Sequence, residues 1–240
     1  MYSLEGQHVV IIGGGSGMGL ATAIHAHKLG AKVTIASRNI TKLEAARAQV
    51  GDRCVAVQVD GSDEASMKQL FEVVGPIDHI FLTAGAHPRV PVRDAVFEDV
   101  RPGIDTRFWS CFFACKYGQL QLRRDGSITF ISGVGVFKPG ISGESIAVAG
   151  AGAVDAFARS MALELRPIRV NALSPGATDT EFSRKLVGEH FAAVAEQWAA
   201  KLPVGRVGRT DDMAHAAIFL MTNGYVTGTT LHVEGGYRLV

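Results

Sequence analysis

The stretch GGGSGMG, Gly13 to Gly19, offers the first chemistry in the chain, with Gly13, Gly17 and Gly19 spaced G-x-x-x-G-x-G. Glycine there permits positive φ and lets the backbone approach a pyrophosphate, whose charge is met by free N–H groups and the dipole of a helix start. The loop residues Gly13, Gly15, Ser16, Gly17, Met18 and Gly19 are therefore expected to line a dinucleotide, given the strand pattern before them and the helical pattern after them. The stretch IASRN decides the ribose partner. An acid at that point would bind the 2′-hydroxyl of NAD and repel the phosphate of NADP. Ser37 and Arg38 instead offer a hydroxyl and a guanidinium suited to bidentate phosphate contact, so NADP (as NADPH) is the expected cofactor. A solvated loop charge is the plainer reading of Arg38. Asp60, followed by Gly61, either accepts from an adenine amino group or caps the next helix, and TAGA places Ala84 and Gly85 where small backbone can lie against the cofactor.

These positions need elements to hold them. Short apolar runs recur between longer amphipathic ones: HVVII, KVTIAS, CVAVQV, HIFLTA, SITFIS, IRVNAL and TLHV. Each reads as a strand buried on both faces. Helical patterns run over about 18–29, 42–50, 65–73, 97–122, 147–165 and 211–221. Strict alternation predicts an α/β fold, a doubly wound parallel sheet of about seven strands with helices on both faces. With no linker, charge block or repeat, residues 1–240 are expected to form a single dinucleotide-binding domain. The segment 180–203, off this rhythm and amphipathic in its later half, is either a substrate lid or an ordinary helical excursion.

Composition excludes several partners. With 24 basic and 23 acidic residues there is no basic face for nucleic acid or an anionic membrane, so a small-molecule substrate is expected. Cys54, Cys111 and Cys115 have no His or acid at ligand spacing and read as buried free thiols, with no metal. The start MYSLEGQ lacks a basic region and an apolar region, and no apolar run approaches a membrane span, so a soluble cytoplasmic protein is expected.

Taken together, the chain resembles the short-chain dehydrogenase/reductase family over essentially its whole length. GGGSGMG is similar to the family's T-G-x-x-x-G-x-G with Ile12 in the threonine place, TAGA to its N-x-A-G segment, and RVNALSPGATDT to its strand-six motif. The resemblance implies that Pro175 and Gly176 line the nicotinamide, that the Thr178 backbone meets the carboxamide, and that Thr180 approaches the pyrophosphate. The ending VTGTTLHVEGGYRL resembles the family's last strand and C-terminal loop, which implies a homotetramer or homodimer.

The family usually works with Asn, Ser, Tyr and Lys, and here the sequence departs from it. The helix SIAVAGAGAVDAFARSMALEL puts Ala147 at the tyrosine and Ala151 at the lysine, and no tyrosine lies between residues 118 and 224. Arg107 falls at the asparagine, and Ser132 or its neighbour Gly133 at the serine. Without the pair, hydride addition to a plain ketone leaves an unprotonated alkoxide, and losing general acid catalysis costs about 10²–10⁴ in rate. Two escapes are open. One is a substrate needing no proton at hydride transfer, such as an iminium ion. The other is a substitute acid, Glu144, its pKa raised by an apolar pocket, unless Glu144 only caps the first turn of the helix. Arg107 either holds a substrate carboxylate or enolate oxygen or partners an internal acid or backbone carbonyls, and Ser132 either orients a polar substrate atom or satisfies backbone. Lys138 is expected to be solvated and His87 to lie at the surface or on the cleft's rim. The expected protein is an NADPH-dependent reductase with a non-standard site, Arg107, Ser132 and Glu144. The rivals are a catalytically silent NADP-binding regulatory or partner protein and a non-redox isomerase or cyclase.

Overall fold

β1 (His8–Ile12) is buried at all five positions, because no residue of HVVII needs solvent on either face. The computed structural model describes residues 3–140 and 142–240; Met1 and Tyr2 of the N-terminal stretch and Ile141 of the loop FKPGISGESI lie outside them. The chain continues through α1 (Gly17–Lys28), β2 (Lys32–Ser37), α2 (Ile40–Val50), β3 (Cys54–Gln58), α3 (Glu64–Val73) and β4 (Ile77–Leu82). There follow α4 (Phe97–Val100), α5 (Pro102–Ile104), α6 (Ser110–Gly118), β5 (Leu122–Ile131), α7 (Ser145–Glu164) and β6 (Arg169–Pro175). The last part holds β7 (Thr178–Asp179), α8 (Glu181–Val187), α9 (Phe191–Lys201), β8 (Gly208–Arg209), α10 (Thr210–Thr222) and β9 (Thr230–Val233).

The main sheet has seven strands in the order β3-β2-β1-β4-β5-β6-β9, every pair parallel. This is the doubly wound sheet that the alternation predicts. Helices α1, α2 and α10 pack on one face and α3, α6 and α7 on the other, each face closing over its own apolar cluster. The strand order reverses between β1 and β4, so a crevice opens at the carboxyl ends of the strands, where such sheets bind ligands.

Three readings of the sequence change. The helix expected over 97–122 is broken: Pro102, which has no N–H to donate, starts α5 afresh, a π turn runs over Asp105–Trp109, and Leu122 already belongs to β5. The run 180–203 folds as α8 and α9, with no residue of either helix buried, and is anchored by a short parallel ladder of β7 on β8. Lastly, α7 is long and apolar enough, by composition, to cross a membrane. In the fold it turns Ala147, Gly150, Ala151, Val154, Asp155 and Ala158 inward, as a core helix does.

Candidate active site

The glycine loop is held open by its neighbours. Gly13 has φ +94°, and a Cβ there would fall 2.8 Å from the Ala84 nitrogen. The Thr83 hydroxyl donates to the Gly13 carbonyl at 3.1 Å, tying the end of β4 to the loop. Ser16 is the N-cap of α1 with no side-chain capping bond, so the first N–H groups of a twelve-residue helix and a free hydroxyl share one spot. Thr180 sits against that spot: its Cβ is 3.9 Å from where a Gly17 Cβ would stand. Its hydroxyl is engaged with Ser183, capping α8. A phosphate would meet donors and no carboxylate at this helix start, so the cradle fits a dinucleotide.

At the far end of the loop Ser37 is half-buried, its hydroxyl 3.2 Å from where a Gly15 Cβ would stand, and Arg38 is exposed. The Arg38 carbonyl is held by Gln58 Nε2 at 2.9 Å, while its charge reaches Asp60. Asp60 Oδ1 accepts from the Ser62 nitrogen at 2.9 Å and its hydroxyl at 2.6 Å. Burial pushes the Asp60 carboxyl up, but these two bonds and Arg38 outweigh it and leave it below the ordinary value. The helix cap weighed for Asp60 belongs to Asp63, which accepts from the Ser66 nitrogen at 2.7 Å. Gly61 lies against Ser110. At the nicotinamide end the turn after Pro175 is pinned to β9: the Gly176 nitrogen donates to the Val233 carbonyl, and a Cβ on Gly176 would lie 2.7 Å from Glu234 Cα. Thr178, buried, donates its hydroxyl to the Gly176 carbonyl at 3.0 Å.

Between these ends lie the two alanines of α7 weighed in the sequence, neither of which can transfer a proton. Ala147 and Ala151 are both buried on the inner stripe of α7. The residue facing them is Gly133, where an added Cβ would stand 4.0 Å from Ala151 Cβ. Ser132 is only 2% exposed, and its hydroxyl donates to the Ala151 carbonyl at 3.3 Å. The substrate-orienting role expected of Ser132 is thus not what its geometry offers; it fastens the end of β5 to α7.

Arg107 comes from the π turn, whose extra residue turns the guanidinium over Gly85, 3.3 Å from where a Cβ would be, with Cδ equally close to the Gly150 position. Its only hydrogen bond among the described residues runs from Nη1 to the Ser132 carbonyl at 3.3 Å, and Nε is buried without a partner. No acid among the described residues answers the charge; of the plainer partners weighed in the sequence, the internal acid is not found and the backbone carbonyl is, at Ser132. Burial lowers the Arg107 pKa from its ordinary value, yet a guanidinium stays charged at neutral pH.

Glu144 is the N-cap residue of α7 but makes no capping bond. Its carboxylate lies 3.5 Å from His87 Nε2 and 3.8 Å from Arg89 Nε. Its surroundings are basic, so the apolar pocket expected to make it an acid is absent. His87 is drawn in from the surface: its ring meets Phe182 of α8 edge-on at 5.9 Å, joining the rim of the cleft to the 180–203 segment. Burial pushes the His87 imidazole below its ordinary value, Glu144 opposes this, and Arg107 adds to it. Lys138, expected to be solvated, is half-buried and donates to the Tyr237 carbonyl at 3.3 Å. The three cysteines are buried free thiols, Cys54 pushed up to about 11 and Cys111 to about 12 by burial.

The sequence reading missed Thr83, Arg89, Phe182 and Asp155. Thr83 directly precedes the A-G pair and so had a readable position; Asp155 follows Ala147 and Ala151 at helical spacing, an acid on an inward stripe. Arg89 and Phe182 lie in loop and surface helix, where no local pattern marks them.

The family model for enoyl-(acyl carrier protein) reductase matches residues 13–238. The short-chain dehydrogenase/reductase ATR9 of Stachybotrys chlorohalonatus is 35% identical over 251 residues, covering 98% of each chain. Among solved structures, the MalC reductase/Diels-Alderase of Malbranchea aurantiaca superposes with a TM-score of 0.92 at 28% identity, covering 99% of this chain and 98% of its own. A small-chain dehydrogenase in complex with NADPH has a TM-score of 0.85 at 34% identity, covering 98% and 99%.

Proposed function

Since the chain belongs to the short-chain dehydrogenase/reductase family, an oxidoreductase family that binds nicotinamide cofactors, we propose that it is an NADPH-dependent reductase of electrophiles needing no proton at hydride transfer, an iminium ion foremost. The observation that carries this is the floor itself: Gly133, Ala147 and Ala151 offer no proton, while Arg107, half-buried with its Nε enclosed and unanswered by any acid among the described residues, stands against Gly85 and Gly150 beside it. NADPH, when bound, supplies the hydride. The glycine loop and the start of α1 hold the pyrophosphate, and Ser37 and Arg38 receive the 2′-phosphate. Arg107 takes a carboxylate, enolate or carbonyl oxygen of the substrate, a charged donor in a site where water is displaced. On the opposite rim, Glu144 is the anion beside the cationic carbon–nitrogen centre. The 180–203 segment closes over the cleft through Phe182 and His87. Orientation by these groups accounts for several kcal/mol of the barrier.

The MalC likeness favours a second reading. That protein is described as both reductase and Diels-Alderase, and a cleft with alanines where a proton-transfer pair would stand has room for a substrate to fold on itself. Calorimetric titration of the purified protein with NADPH and NADH tests the first reading. Tight NADPH binding is expected, NADH binding much weaker, and the NADPH preference lost in Arg38→Ala, by about tenfold or more for one charge-assisted phosphate contact. Binding of neither leaves a silent scaffold.

A further inference from the structure

The segment 180–203 is tied to distant parts of the chain at few points, and one of the ties crosses the glycine loop. α8 has no buried residue, and an open cavity of about 400 Å³ lies between it, α1 and the start of α10, lined among others by Leu20, Ile24, Thr180 and Arg184. The hydrogen bonds of α8 are local in sequence, between Ser183 and Thr178 or Thr180 and between Arg184 and Asp179, with one exception among the described residues. Lys42 Nζ of α2 donates to Glu181 Oε1 at 2.7 Å, joining residues 139 positions apart. A second distant contact is that of Phe182 with the His87 ring, at the rim of the cleft.

Lys42 starts beside the seat assigned to the 2′-phosphate. The Asn39 side chain caps α2 by accepting from the Lys42 nitrogen at 2.9 Å, which fixes Lys42 in the first turn after Ser37 and Arg38. The position of a Gly15 Cβ is 3.2 Å from Ser37 Oγ and 4.0 Å from Lys42 Cβ, so both side chains border one glycine. Thr180, next to Glu181, borders Gly17 of the same loop. The Lys42–Glu181 pair therefore runs from the Ser37 side of the cradle to the first residue of α8.

Both side chains of the pair are about half exposed, and an ion pair in that setting is weak enough for a stronger anion nearby to displace it. Glu181 also accepts from Lys185 at 2.6 Å, and the two ammoniums, Lys185 first and Lys42 next, hold its carboxyl down at about 2. It keeps one partner when Lys42 leaves. A lysine is a compact charge on a flexible four-carbon stem, and so changes partner without moving its helix. We propose that Lys42 is a shared cation: it holds α8 through Glu181 when no cofactor is bound, and the 2′-phosphate of NADPH draws it off to lie with Ser37 and Arg38. NADH, with a hydroxyl at that place, leaves the pair closed. Lys42 is then a specificity-determining residue whose choice of partner reports the cofactor to the lid segment. Once released from α2, α8 keeps Phe182 against His87, on the side where substrate is taken.

This role rests on the NADPH reading, and the test separates the two. The full chain is titrated calorimetrically with NADPH and with NADH as the parent, Arg38→Ala, Lys42→Met, Lys42→Arg, Glu181→Gln, and Lys42→Met combined with Glu181→Gln. Lys42→Met is expected to weaken NADPH by about three- to tenfold, Lys42→Arg to restore most of the loss, and NADH to stay within about twofold throughout the Lys42 and Glu181 series. Glu181→Gln frees the cation, so it is expected to tighten NADPH by about two- to fivefold, the worth of an exposed ion pair, and to do nothing in the Lys42→Met background. At saturating dinucleotide, the amides of residues 181–187 are expected to exchange hydrogen faster with NADPH than with NADH, and the difference to vanish in Lys42→Met. Glu181→Gln tightening both dinucleotides alike, or tightening NADPH without Lys42, would mean plain charge repulsion and overturns the exchange of partners. Equal hydrogen exchange in the two parent complexes overturns it as well. A parent that prefers NADPH through Arg38 and is indifferent to Lys42 overturns the Lys42 role alone. A parent that binds neither dinucleotide, or prefers NADH, overturns the NADPH reading and the Lys42 role with it.

Discussion

Arg107 is the residue on which the proposed chemistry turns, and its energetics invite a direct check. A half-buried guanidinium with one long hydrogen bond to a carbonyl and an enclosed, orphaned Nε has lost part of its hydration with little in return. Replacing it by an apolar side chain of similar length removes that penalty. Arg107→Met is expected to melt higher than the parent, by about 1–3 kcal/mol of unfolding free energy, and to bind NADPH as before. Turnover of an electrophile bearing an anionic oxygen should fall at least about 10²-fold, since the side chain acts where charge is held. Thermal melts and steady-state rates on the same preparations read both; a variant that melts lower and keeps its rate would make Arg107 a packing residue. That this arginine lies beside Gly85 and the inner stripe of α7 was foreshadowed in the sequence by its place in the resemblance. That it lacks an acid was not, because partners across elements leave no mark in a local pattern. Ser132 shows the opposite failure. Its type and position suggested chemistry, and only the direction of its hydroxyl, toward the Ala151 carbonyl, reveals a fastening role.

At the scale of elements, α7 is a helix that turns a stripe of mostly small residues toward the sheet. Ala147, Gly150, Ala151 and Val154 keep its approach to the sheet, and Gly133 opposes it at van der Waals distance from Ala151. On the proposed reading, this is the frame into which a Tyr and Lys pair would fit. The double variant Ala147→Tyr and Ala151→Lys is expected to fold, to bind NADPH, and to reduce simple ketones faster than the parent by the factor of about 10²–10⁴ that a positioned acid supplies. A double variant that folds and binds yet gains nothing on ketones would mean that the stripe does not face the reacting carbon. All seven strands and the outline of α7 were legible, because buried parallel strands and a long apolar helix are written in local runs. The stretch before α6 was not: its apolar pattern reads as one helix, and the break comes from Pro102 and from a π turn, which costs a single residue and leaves the periodicity almost intact. The 180–203 segment was marked by its length and placed correctly after a late strand, but its anchor, the β7 and β8 ladder, is two residues long on each side and has no sequence signal of its own.

For the molecule as a whole, acid stability is set in part by a histidine far from the cleft. His79 on β4 places Nδ1 2.8 Å from the Ser127 hydroxyl and Nε2 2.8 Å from Gln7 Oε1. Since the Gln7 oxygen only accepts, Nε2 carries the proton of the neutral ring and Nδ1 accepts from Ser127. Burial, and next the charge of Arg169, push the imidazole down to about 4. Below the ordinary value of 6.5 the unfolded chain takes up a proton that the native chain refuses, so stability falls as pH drops from 6.5 towards 4, by about 3 kcal/mol in all. Urea unfolding at about pH 7 and about pH 4.5 is expected to show a smaller acid loss in His79→Gln than in the parent; equal losses would place the acid sensitivity elsewhere. Such pairings across strands were beyond the sequence, which shows a histidine in an apolar run and nothing of what faces it. The Thr83 hydroxyl is a cross-element contact of the same kind, and its consequence is mechanical. It spans from the end of β4 to the Gly13 carbonyl, while the peptides that follow it run through Gly85 beneath the Arg107 guanidinium. The glycine loop and the proposed anion seat are thus mounted on one beam, so that on the proposed reading a load placed on the first is felt at the second.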